Sequence, residues 1–166
     1  MYLKSPRRSG GVDKNVVPLF KTPAMFDSSH LHPMTVHFPI ALILIGFIID
    51  LVSVFNKKEP CLAKMSYYME ILGMIAAIVA FGTGYYLTGA MSGEAGIVRD
   101  EHKLFATFTL VFIILATTFR VLIVYLKKEN TYLRWIALSL YLCAFIFVAI
   151  TGYIGGVLVQ EYLMGI

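Results

Sequence analysis

The stretch IALILIGFII, residues 40–49, carries no charge and no alternation of apolar with polar side chains. A half-buried strand alternates, and a membrane β-barrel alternates in segments of about ten residues. This run does neither, and it lies inside a longer apolar segment from about Val36 to Phe55. LVFIILATTF, residues 110–119, repeats the character inside a segment from about Leu104 to Leu126. Two more segments run from about Tyr67 to Leu87 and from about Leu133 to Val159. Each reaches the ~20 residues needed to cross ~30 Å of hydrocarbon. In lipid, backbone polar groups must find partners within the chain, and helices supply their own. The expected fold is all-α, an integral membrane four-helix bundle.

Composition agrees. The 166 residues are 58% hydrophobic and 14% charged, against about 25% charged in ordinary soluble domains. The lipid bilayer is therefore the expected surrounding. The net charge of +4 is carried by lysines and arginines that mostly flank the apolar runs. Such residues orient a membrane protein rather than form a nucleic-acid patch, so no nucleic-acid partner is expected. Cys61 and Cys143 are far apart, and C-x-x-C-H is absent. This excludes covalent haem attachment and a cysteine-rich zinc or iron–sulfur site. Both cysteines are expected as small buried hydrophobes.

The links divide the chain. NKKEPCLAKMS joins the first pair of segments and KKENT the last pair, while TGAMSGEAGIVRDEHK joins the middle pair. Short links make neighbours antiparallel. Residues 1–30 have no helical period and contain Pro6, Pro18 and Pro23, so an extended N-terminal arm is expected there and the bundle over 31–166. The arm has no continuous apolar stretch of the signal-peptide kind. The first link has Lys57, Lys58 and Lys64, and the third Lys127, Lys128 and Arg134. The middle link balances Arg99 and Lys103 against Glu94, Asp100 and Glu101. Lysine-rich short loops stay in the cytoplasm, which puts the middle link and both termini outside. Lys4, Arg7, Arg8, Lys14 and Lys21 of the arm argue for the reverse.

HLHPMTVHFPI, residues 30–40, holds three of the four histidines, and His102 precedes the third segment. The first and third segments run the same way, so every histidine falls at one membrane face. HFPIA at 37–41 is echoed by HKLFA at 102–106, and TGY at 83–85 by TGY at 151–153. The chain reads as two tandem helical hairpins related by an axis along the membrane normal. That register sets His37 and His102 opposite each other. Opposed imidazoles suit haem b, whose iron takes two axial ligands. Gly82, Gly84 and Gly89 on one hairpin and Gly152, Gly155 and Gly156 on the other would leave flat space, and Arg99 and Lys103 would meet the propionates. His32 is the alternative to His37, because Pro33 can also open the helix. The competing readings are interfacial histidines without a ligand and glycines that only serve close packing. A copper or zinc site from His30, His32, His37 and Met34 is a third. Toward the other face, Asp50, Glu70 and Arg120 are expected as a buried ion pair, with a proton path as the sharper reading.

LHPMTVHFPIAL, DEHK and GYIGGVLVQEYLMGI resemble a bacterial four-helix membrane family known only as a domain of unknown function. Its patterns are similar to H-P-x-x-V-H-F-P at the first helix, a histidine before the third, and a glycine-rich C-terminal turn. Leu163 and Met164 depart from the last. The resemblance covers residues 31–166 and maps the motif histidines onto His32, His37 and His102. Some relatives are joined to Rieske domains, which implies redox work. The function expected is a membrane haem b-binding electron-transfer subunit of a respiratory or photosynthetic complex in the bacterial inner membrane, not an enzyme alone. Other subunits of that complex would be its partners, with the arm docking on one of them. An accessory structural subunit without cofactor is the alternative.

Overall fold

The computed structural model describes residues 31–89, 91–127 and 130–163. The arm expected over residues 1–30, and with it His30, lies outside them. Five α-helices follow in order: α1 (Leu31–Thr35), α2 (His37–Phe55), α3 (Pro60–Leu87), α4 (Glu94–Tyr125) and α5 (Thr131–Val157), closed by a π-helical turn at Leu158–Leu163. With α1 and α2 forming one span over Leu31–Phe55, the described residues give four helices long and apolar enough to cross a membrane.

The break between α1 and α2 has a local cause. Pro39 has no N–H to give to the carbonyl of Thr35, so the ladder lapses there. Val36 bonds back to His32 and Ile40 to Val36, at 3.2 and 3.4 Å, on either side of the lapse. Pro60, at the first turn of α3, starts that helix well before the apolar part begins. Gly93 takes φ 68° at the N-cap of α4, a left-handed value that favours glycine. Asn130 caps α5, its side chain accepting from the Leu133 N–H at 2.8 Å.

Helices extend beyond the apolar runs at two points. The first link is only residues 56–59, and the charged stretch Glu94–Lys103 is the opening of α4 rather than loop. Hydropathy reads the part of a helix inside hydrocarbon, whereas α4, with 32 residues, is about 48 Å long and projects out of a ~30 Å core. His102 is therefore well inside a helix, not at its start.

The chain packs as two hairpins, α2 on α3 and α4 on α5, which meet through α2 against α5 and α3 against α4. The buried positions repeat between them. Pro39, Ile43, Gly46, Phe47 and Ser53 of α2 are matched, each 70 residues on, by buried Thr109, Ile113, Ala116, Thr117 and Ile123 of α4. Ser66, Glu70, Gly73 and Ala77 of α3 are matched, each 71 residues on, by buried Ala137, Tyr141, Ala144 and Val148 of α5. The tandem repeat is thus present at the level of packing. Its register differs from the one that HFPIA and HKLFA suggest.

Small residues dominate the seam. An added Cβ at Gly73 would stand 3.0 Å from Ile43 Cγ1. Such residues let helices approach where lipid supplies no hydrophobic drive for association. Ile43, Ile113, Ala116, Tyr141 and Ala144 are fully buried, while Ile45, Ile48, Leu72, Ile75, Leu115 and Ile146 are exposed toward the surrounding lipid. Cys143 is half-buried, but Cys61 is exposed, contrary to the expectation for it. As the second residue of α3 it stands at the linked end of the first hairpin.

Candidate functional site

At the end of the bundle that holds the middle link, His32 from α1 meets His102 from α4. Their ring centres are 6.4 Å apart and the rings are nearly perpendicular, at 81°. The two occupy matched places, 70 residues apart, each eleven residues before a fully buried isoleucine, Ile43 or Ile113. Each ring is fixed the same way by the second helix of its own hairpin. The His32 Nδ1–H donates to the Ala80 carbonyl at 3.1 Å, with the Thr83 hydroxyl at 3.2 Å. The His102 Nδ1–H donates to the Thr151 carbonyl at 3.1 Å.

One turn beyond each carbonyl stands a glycine under the ring. A Cβ at Gly84 would lie 2.8 Å from His32 Cε1, and one at Gly155 would lie 3.0 Å from His102 Cε1. Neither position has room for a side chain unless the imidazole moves. Threonines complete the surroundings. Thr35 Oγ1 donates to the His32 carbonyl at 2.9 Å and lies 3.1 Å from Thr83 Oγ1. Thr109 Oγ1 lies 3.3 Å from Thr151 Oγ1. A hydrogen bond at Nδ1 sets the tautomer and leaves Nε2 with its lone pair. Among the described residues nothing hydrogen-bonds either Nε2.

The structure separates His37 from this pair. His37 is exposed at the first turn of α2, and its matched position on α4 is the exposed Thr107. The expectation that His37 faces His102 is corrected: His32 does so. The cause lies in α1, which places His32 a turn and a half before His37, level with Ala80 and Thr83. Met34 is 65% exposed and turned away from the pair. Among the described residues no cluster of three or more His, Cys, Asp or Glu could hold a metal. Arg99 reaches back to the end of α3, its Nη2 3.4 Å from the Thr88 carbonyl. Lys103 Nζ lies 5.3 Å from the centre of the Tyr85 ring. Of the expected glycines, Gly84 and Gly155 cradle the histidines and a Cβ added at Gly152 would lie 3.3 Å from Ile40 Cδ1, whereas Gly82, Gly89 and Gly156 face open space.

A second polar cluster lies deeper, toward the lysine-rich end. Asp50 and Arg120, themselves matched 70 residues apart, form an ion pair. Ser66 donates to Asp50 Oδ1 at 2.9 Å and Ser53 to the Asp50 carbonyl at 2.7 Å. Arg120 Nη2 donates to Ser66 Oγ at 3.0 Å and to the Ala63 carbonyl at 3.3 Å. Arg134 Nη2 reaches Ser53 Oγ at 2.8 Å. The expected ion pair is present. Ser53, Ser66, Arg134 and Tyr141 are additions to it; the 70- and 71-residue spacing of buried positions finds Ser53, Ser66 and Tyr141, but not the half-buried Arg134.

A family model described as "Predicted membrane protein (DUF2231)" matches residues 28–166. No curated protein and no solved structure matches the chain. The chain belongs to this predicted membrane protein family, of unknown function.

Proposed function

We propose that this member of the family is a haem b-binding electron-transfer subunit of a membrane redox complex, with His32 and His102 as the axial ligands. The observation that carries the reading is the meeting of these two imidazoles, one from each hairpin, with both Nδ1 atoms engaged by backbone carbonyls. A histidine that ligates a metal through one nitrogen commonly donates its other N–H in this way, which fixes the ring and raises its basicity. An ion bound at about 2 Å by one nitrogen of each ring sets ring centres roughly 6 Å apart, close to the 6.4 Å observed. The two nitrogen donors and their spacing support the reading.

Haem b held by two histidines supplies reversible one-electron transfer without an open coordination position. The chain's own residues do the rest. His32 and His102 would hold the group through their Nε2 atoms, with their ring planes nearly perpendicular. Ala80 and Thr151 hold those rings against rotation. Arg99 and Lys103, within a turn of His102, are the cations available at the membrane edge for the cofactor's carboxylates. The apolar faces of α2 and α5 exclude water from the membrane side. The chain sits in the inner membrane of a bacterium with its lysine-rich links in the cytoplasm, so electrons pass near the outer face. Its partners are other subunits of that complex.

The second reading is a structural subunit without cofactor. The nearly perpendicular contact of two neutral rings, favoured as an aromatic arrangement, supports it. Haem content and spectra of single variants separate the two. His32→Ala and His102→Ala should each abolish low-spin ligation, and His37→Ala should retain full haem. Full occupancy in the first two, or loss confined to His37→Ala, would remove the pair from the site.

A further inference from the structure

Glu70 stands apart from every other charged group in the bundle. It is 1% exposed, and neither of its carboxylate oxygens has a hydrogen-bond partner. Arg120 Nη1 is 3.5 Å from Oε2, but that guanidinium already serves Asp50, Ser66 and the Ala63 carbonyl. Across the seam Tyr141, at the matched position on α5, is fully buried, and its hydroxyl also lacks a partner. That hydroxyl lies against Gly46, one turn from Asp50, where no Cβ fits.

The charges do not balance locally. Asp50 from α2 and Glu70 from α3 face one cation, Arg120 from α4. From α5 come Tyr141 and, one serine away from Asp50, Arg134. A buried carboxylate with neither donors nor its own counter-ion is costly in a low-dielectric interior. Binding one small cation removes the cost, and the smallest is a proton.

There is also a way in. A cleft of about 330 Å³ is lined by Ala63, Lys64, Tyr67, Arg120, Ile123 and Arg134, among others. It ends on Arg120, the residue that touches both carboxylates, and it opens at the lysine-rich end of the bundle. Glu70 lies ten residues along α3 from Ala80, which bonds His32, or roughly 15 Å of helix. It is thus within the membrane, on the far side from the histidines.

We propose that Glu70 is a reversible proton-binding site within the membrane, in exchange with water through this cleft. Glu70 does not line the cleft, so transfer needs the Arg120 side chain at its end to swing aside: a hydronium ion then reaches Glu70, an O–H bond forms at a carboxylate oxygen, and water is left behind. Asp50 keeps its contact with Arg120, and the cluster gains one positive charge. The site is independent of the histidine pair and stands or falls without it.

The test is infrared spectroscopy on the full chain in lipid nanodiscs, titrated from alkaline to acid. Exposed carboxylates also protonate with acid, so the band to follow is the one at highest frequency, as a carboxyl without hydrogen bonds gives; it should shift in deuterated water and vanish in Glu70→Gln. It should persist in Glu94→Gln, whose carboxylate is exposed. Ala63→Leu, which fills the cleft while keeping the Ala63 carbonyl, should leave the band in place and slow its deuterium exchange several-fold. Glu70→Asp should move the band rather than remove it, which guards against a fold defect in the glutamine variant. A band unchanged in both Glu70 variants would overturn the proposal. So would a carboxylate that responds to sodium but not to acid, which would make the bound cation sodium.

Discussion

At the scale of the residue, two glycines decide whether the histidines sit where they do. Gly84→Ala places a Cβ 2.8 Å from His32 Cε1, and Gly155→Ala places one 3.0 Å from His102 Cε1. Overpacking of this kind costs roughly 1–3 kcal/mol. Thermal unfolding in detergent should show both variants destabilised, Gly84→Ala the more, and haem occupancy should fall in the same order. Wild-type occupancy and stability in both would mean that the rings have other places to go. The sequence makes these glycines visible but not their partners. HFPIA and HKLFA share two identities over five positions, enough to suggest a repeat and too few to fix its register. Ile43 with Ile113, and Asp50 with Arg120, fix it at 70 residues, and that register brings His32, not His37, to His102. Only burial exposes it, because side chains that face lipid and side chains that face the core are equally apolar in this chain.

At the scale of the element, the hairpins are joined by charge as well as by small residues. Arg120 reaches from α4 to carboxylates on both helices of the other hairpin. Removing it leaves two buried carboxylates without their cation. Removing Asp50 instead leaves Arg120 free to take Glu70. Losing one partner of a buried pair costs about 3–5 kcal/mol. Arg120→Leu should carry the full cost, and Asp50→Ala distinctly less, in chemical unfolding of micelle-embedded protein. Equal costs would mean that Glu70 does not act as a reserve partner. The four spans were legible from hydropathy alone, since each is an apolar run with a single Asp, Glu or Arg in it. Their ends were not. Glu94–Lys103 is charged enough to pass for loop, yet it forms helix outside the hydrocarbon, where hydropathy carries no information about helix ends. The separate α1 follows from Pro39 and was readable in principle, but a proline near a helix start reads equally as a beginning.

At the scale of the whole molecule, the three links sort by charge onto two faces, with the histidine pair at one and the mouth of the cleft that ends on Arg120 at the other. Cys61 is exposed at the lysine-rich end, which makes it a native reporter. In a Cys143→Ala background, an impermeant thiol reagent should label Cys61 only after the membrane is opened. A cysteine introduced at Ser92, with Cys61 replaced by serine, should label in intact cells. The opposite pattern would invert the orientation and turn the histidine pair toward the cytoplasm. The central claim is that this pair holds haem b, and the reduced-minus-oxidised absorption spectrum of the purified unmutated chain tests it most directly. Haem held by this pair gives a Soret shift and a sharp α band of the low-spin bis-histidine type, at about one haem per chain. Folded, colourless protein from cells well supplied with haem, or a high-spin spectrum, would contradict it.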